Sequence, residues 1–176
     1  GPIEVRYFVG SEFFKEEVKL LKDQGFKVKD HPDGREATRG RVHILVRKGG
    51  KNVFRDLKDS KVHAVIYSGH SNLGGVVERG LKQKDLGLGR GAKLVALMQC
   101  TGTQTLPLLA ARMPRAQIVS TLSYSYPRAD QAVIKTLLDG LDKRWTYDKM
   151  RTQVRRQYHG SNYLFPNQVE MLKHTD

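Results

Sequence analysis

Apolar and polar positions along the chain alternate between two periods. Ile3 to Val9 reads as a first strand, and Gly10-Ser11 as a turn with Ser11 as N-cap. Phe14, Val18 and Leu21 then recur at helical spacing until Gly25 stops the helix. Phe26 to Lys29 alternates as a short edge strand, His31-Pro32-Asp33-Gly34 has turn composition, and Arg35 to Arg41 reads as a charged connector. Val42 to Val46 predicts a strand ending at Lys48-Gly49-Gly50. Val53, Phe54 and Leu57 predict a brief helix, and Val62 to Tyr67 a further strand.

Ser71 to Gly91 holds six glycines among mixed residues and reads as a loop with one helical turn. The run Leu94-Val95-Ala96-Leu97-Met98 is continuously apolar, as a strand buried on both faces requires. Leu106 to Met113 has helical spacing with Pro107 in the first turn, where its missing N–H is harmless. Ala116 to Tyr124 predicts a strand broken by Pro127. Val133, Ile134, Leu137, Leu138 and Leu141 mark an amphipathic helix, and Tyr147 to Tyr158 a last one with Met150, Val154 and Tyr158 on one stripe. Strands alternating with helices predict an α/β fold of three layers, a mainly parallel sheet with helices on both faces.

The length, 176 residues, fits one domain with a sizeable core, taken as 3–176, and Gly1-Pro2 reads as a scar of proteolytic tag removal. No apolar stretch approaches the roughly 20 residues of a membrane span. No signal-peptide pattern opens the chain, and its single cysteine allows no internal disulfide, so a cytoplasmic location is expected. Lys and Arg number 31 against 18 Asp and Glu, a net charge of +13. The cations are spread along the chain and densest from Lys143 to Arg156, without an RNP-type aromatic signature. Solubility is therefore the favoured reading of the charge over nucleic-acid binding.

The candidate chemistry sits where two strands end. Val62 to Tyr67 runs out through Ser68-Gly69 into His70, and Leu94 to Met98 through Gln99 into Cys100, followed by Thr101-Gly102-Thr103. In open α/β sheets functional groups gather at the carboxyl ends of strands. An imidazole beside a thiol there has the makings of a cysteine nucleophile. His31, His43, His63, His159 and His174 fall in turns, strands or the polar tail. They form no metal-ligand spacing with the one Cys, and Gly87, Gly89 and Gly91 precede a strand, so they make no dinucleotide fingerprint. Neither metal nor cofactor is expected.

With these pieces in view, the chain from about Ile3 to Tyr126 resembles the caspase-haemoglobinase fold of cysteine peptidases, the caspase, gingipain and legumain group. The matching motifs are Val65-Ile66-Tyr67-Ser68-Gly69-His70 and Val95-Ala96-Leu97-Met98-Gln99-Cys100-Thr101-Gly102, with His before Cys as in that group. The resemblance implies an endopeptidase in which Cys100 attacks a peptide carbonyl, His70 protonates the departing amine, and water hydrolyses the thioester. It implies an oxyanion hole from the backbone N–H groups of Ser71 and Cys100. The family usually has Gly after the catalytic His. Ser71 donates the same N–H, at about 1 kcal/mol or more if the turn needs a positive φ. The substrate pocket implied is walled by Ser120, Thr121, Ser123 and Tyr124, with Asp130 near enough in sequence to select a basic residue.

Peptide or protein substrates are then the expected partners, with a regulatory or activating partner compatible with the group. Two other readings stay open: a peptidase fold that has lost activity and serves as an interaction module, favoured by Ser71, and a basic α/β domain that binds nucleic acid or another polyanion.

Overall fold

The computed structural model describes residues 1–49, 53–69, 79, 80, 82, 94–100, 105–123 and 125–166. Eight strands form one sheet: β1 (Ile3–Val9), β2 (Lys27–His31), β3 (Gly34–Arg39), β4 (Val42–Lys48), β5 (Val62–Ser68), β6 (Leu94–Met98), β7 (Gln117–Thr121) and β8 (Tyr163–Leu164). Their order is β2-β3-β4-β1-β5-β6-β7-β8. β4, β1, β5, β6 and β7 run parallel. The β2-β3 hairpin adds antiparallel on β4, and β8 antiparallel on β7.

Side-chain alternation in this sheet builds two cores. Val5, Tyr7 and Val9 of β1 and Leu94, Ala96 and Met98 of β6 face α1 (Phe14–Asp23), α3 (Pro127–Asp142) and α4 (Tyr147–Arg155). There they meet Phe14, Val18 and Leu21, then Val133, Ile134, Leu137 and Leu138, then Met150 and Val154. Phe8, Val65, Val95 and Leu97 face the opposite way, toward Val53, Phe54, the Leu106 and Leu109 side of α2 (Leu106–Arg112), and Met113 just beyond it. Burying each Val, Leu, Ile, Phe or Met side chain among these contributes about 1.5–3 kcal/mol. The unbroken apolar run of β6 is thus explained by cover on both faces, and the α/β, three-layer, mostly parallel reading holds.

Several elements differ from expectation. Arg35 to Arg41 is no connector: Gly34–Arg39 is β3, paired to both β2 and β4. It escaped the pattern because only Ala37 is fully buried. Charged partners do much of the rest, Arg35 with Asp30 and Lys29 with Glu36 across the strands, and Arg39 with Asp139. Gly34, at φ +150°, is required at the hairpin, since a Cβ there would stand 2.0 Å from the Val46 carbonyl oxygen. Ser11 makes no side-chain cap and lies instead in a 3-10 turn, Ser11–Phe13, that leads into α1.

Around Pro127 the differences are larger. The strand expected over Ala116 to Tyr124 ends at Thr121, and Tyr124 lies outside the described residues. Pro127 does not merely break it but opens α3 at its first turn. The last helix stops at Arg155, so Tyr158 leaves the buried stripe and is 86% exposed. The two-residue β8 carries no sequence pattern long enough to be foreseen. Most of the expected glycine-rich loop, Ser71 to Gly91, lies outside the described residues.

Candidate active site

The carboxyl ends of β1, β5 and β6 are drawn together by backbone bonds. Gly10 N–H donates to the Ser68 carbonyl at 2.9 Å, and Gly69 N–H to the Met98 carbonyl at 3.3 Å. Gly69 eases this approach: a Cβ there would lie 2.9 Å from the Tyr67 hydroxyl and 3.3 Å from Gly10 N, so both would have to give way. The β5–β6 register pairs Ser68 with Met98. Cys100 and His70 each follow two residues beyond that pair, and His70 and Ser71 lie outside the described residues.

Cys100 is half-buried at the turn after β6. Its Sγ accepts the backbone N–H of Ser125 at 3.4 Å. The peptide before it is pinned from β7, where the fully buried Thr121 hydroxyl donates to the Gln99 carbonyl. The sulfur opens into a pocket of about 120 Å³. Phe13 and Glu17 wall it from the α1 side, Ser68 and Gly69 from the end of β5, and Ser125, Pro127, Asp130 and Gln131 from the start of α3.

Two carboxylates stand in this small space, Asp130 at 3% exposure and Glu17 at 6%. Asp130 accepts hydroxyl bonds from Ser125 and Tyr163. Glu17 accepts from the Tyr7 hydroxyl at 2.8 Å and from Gln131 Nε2 at 3.3 Å. Every one of these donors is neutral. Burial pushes both carboxyls above the usual range, against the lowering effect of those hydrogen bonds. Burial likewise raises the Tyr7 and Tyr163 phenols, and the adjacent carboxylates push them further. The pocket thus holds two carboxyl groups and no cation among the described residues that line it.

The residues expected to wall a substrate pocket fall in different places. Asp130 is in the pocket with Cys100. Ser120 and Thr121 are fully buried, Ser120 donating to the Thr121 carbonyl and Thr121 anchoring Gln99. Ser123 faces Asn162, its N–H and hydroxyl both directed at Oδ1. The described wall is therefore built from Ser125 and the opening turn of α3, one step further along than the strand itself. Tyr124 lies outside the described residues.

Sequence reasoning missed Glu17 and Ser125. Glu17 had a signal, since it shares the buried α1 face with Phe14, Val18 and Leu21 at i+3 spacing, where an acid is out of place. Ser125 had none, because it acts through its backbone N–H as well as its hydroxyl. Among the described residues no group of three His, Cys, Asp or Glu side chains gathers to hold a metal ion, and no helix is long and apolar enough to cross a membrane. No family model, no curated protein and no solved structure matches this chain.

Proposed function

We propose that the chain is a cysteine endopeptidase of the caspase-haemoglobinase type that cuts after a basic residue. The observation that carries the proposal is the meeting of the Cys100 sulfur with the buried carboxylates of Glu17 and Asp130 in one pocket. In this reading the sulfur attacks the scissile carbonyl carbon, and the Ser71 and Cys100 N–H groups hold the oxyanion. His70 gives its proton to the departing amine, then takes one from the water that splits the thioester and regenerates the thiol. A Lys or Arg side chain enters beside Glu17 and Asp130. There it supplies the positive charge that their neutral donors do not, and the desolvation that raises both carboxyls favours that partner.

The test is covalent labelling read by intact mass, using peptidyl acyloxymethyl ketones that carry Arg, Lys, Asp or Asn next to the warhead. One adduct on Cys100, formed fastest with Arg or Lys and lost in Cys100→Ala and His70→Ala, is the expected result. An adduct that forms equally in His70→Ala overturns the dyad. No adduct, while a small alkylator still reaches Cys100, overturns the peptidase in favour of an inactive interaction module.

A further inference from the structure

Beyond α4 the chain makes a tight turn that places aromatic rings on the surface. Gly160 is buried, and a Cβ on it would stand 2.2 Å from the Val154 carbonyl oxygen, so only glycine lets the chain reverse this closely under the helix end. His159 precedes it in the left-handed region, at φ +59°. A non-glycine residue pays roughly 1–2 kcal/mol for that conformation. Gln157 ties the turn to α3 through the Thr136 hydroxyl.

The strained turn aims its rings outward. The His159 ring lies flat on Tyr126, centroids 4.8 Å apart with planes 6° from parallel, and Tyr158 tilts against its neighbour at 4.1 Å. Tyr126 is 41% exposed and Tyr158 86%. Of the three large apolar side chains this exposed among the described residues, two are in this ladder. The rings border an open groove of about 690 Å³ that also takes in Ala129, Ala132 and Arg128. Such a patch does nothing for the core, and a strained, preorganised display of rings is a feature of binding surfaces.

The charge around the ladder indicates what covers it. Arg128 borders the groove, and Arg155 and Arg156 precede the turn. All three are exposed, and among the described residues none has a carboxylate within ion-pair distance. By contrast, Arg151 on the same helix is bound to Asp148 at 2.7 Å. Free cations beside a free aromatic face, on a chain of net charge +13, complement a ligand that carries both phosphates and flat rings. We infer that the Tyr126–His159–Tyr158 ladder, with Arg128, Arg155 and Arg156, binds single-stranded nucleic acid by stacking bases on the rings and seating phosphates on the arginines. This stands apart from the peptidase reading of Cys100.

The experiment is fluorescence anisotropy of labelled 12-mer oligothymidylate and oligouridylate with the full chain, beside a 12-base-pair duplex, inorganic polyphosphate and a proline-rich dodecapeptide. The single strands are expected to bind more tightly than the duplex. Tyr158→Ala weakens them about tenfold, while Tyr158→Phe leaves them unchanged. Tyr158 is almost wholly outside the core, so its truncation leaves the fold intact, as circular dichroism will verify. Removing Arg155 or Arg156 lowers the slope of log affinity against log salt by about 0.7 each. Polyphosphate binding is expected not to respond to Tyr158→Ala. The inference is overturned by single-strand affinity indifferent to Tyr158→Ala, by absence of binding at low salt, or by capture of the proline-rich peptide and not the oligonucleotides.

Discussion

The two ends of the sheet treat a pair of carboxylates in opposite ways. Near the amino ends of β1 and β4, Glu4 and Glu36 close on His43 from both sides, Nδ1 to Glu4 at 2.7 Å and Nε2 to Glu36 at 2.5 Å. Arg6 adds a bond to Glu4 at 3.0 Å. At the carboxyl end, Glu17 and Asp130 stand beside Cys100 with only hydroxyl and amide donors. The ionisation follows. Burial raises Glu4, but His43 and Arg6 outweigh it and hold the carboxyl low, and the His43 hydrogen bond does the same for Glu36. Burial opposes charge on His43 too, yet its two carboxylates raise its pKa. Glu17 and Asp130 are both pushed up by burial. Carboxylates neutralised within the fold hold strands together. Carboxylates left without a cation in a pocket beside a thiol are available for a cationic ligand.

The hardest break in that contrast is to remove the charge from the pocket. Glu17→Gln with Asp130→Asn keeps shape and most hydrogen bonds, and it is expected to lower kcat/KM for Arg and Lys peptides about a hundredfold or more. Labelling of Cys100 by a small alkylator should be unchanged. An unaltered preference for basic residues in the double variant would show that the pocket does not read the side chain before the cut. Titration sharpens the same point. Because both carboxyls are raised, their charge is lost at higher pH than for an ordinary Asp or Glu, so selectivity for Arg over a neutral residue should begin to fall earlier on acidification. Stability runs the other way. A raised carboxyl contributes stability that is present below its unfolded pKa and lost as pH rises through its folded one. The Tm of Asp130→Asn, relative to that of the natural chain, should therefore climb as the pH rises above about 4, through the raised folded value.

A smaller effect is expected at the other end. His43→Gln leaves Glu4 and Glu36 without their shared cation. The raised His43 pKa means its contribution is complete below about pH 6.5 and disappears as pH rises through the folded value. The variant should lose about 2–4 °C of Tm at pH 6, less at pH 8, and nothing in cleavage. A loss that is equal at both pH values would mean that His43 acts through packing and not through its charge.

How much of this was open to sequence reading depends on what each residue depends on. β6 and β5 were legible because burial on both faces writes an unbroken apolar run, and the strand ends located Cys100 from one dimension alone. β3 was not, because its stability comes from cross-strand partners such as Asp30 on β2 and His43 on β4. Those partners become neighbours only when the hairpin is formed. The pocket behaved like β3. Asp130 lay a few residues beyond the expected wall of Ser120 to Tyr124 and was noticed for that, whereas Glu17 arrives from α1, more than eighty residues before Cys100, and is recognisable only as an acid on an apolar stripe.

Thr121 gives the finest test of how the carboxyl end is held. Its hydroxyl meets no solvent and donates to the carbonyl of Gln99, the peptide group directly preceding Cys100. Thr121→Val removes that bond with little change of shape, leaving a buried carbonyl short of a partner at a cost of about 1–3 kcal/mol. Because the bond acts on the backbone that carries the sulfur and not on the substrate, turnover should fall about tenfold while KM for a basic peptide stays within twofold. On the peptidase proposal, substrate reading by the carboxylates and positioning of the sulfur from β7 would then be separable. A variant that shifts KM as much as the Glu17 and Asp130 changes do would show instead that β7 shapes the pocket itself.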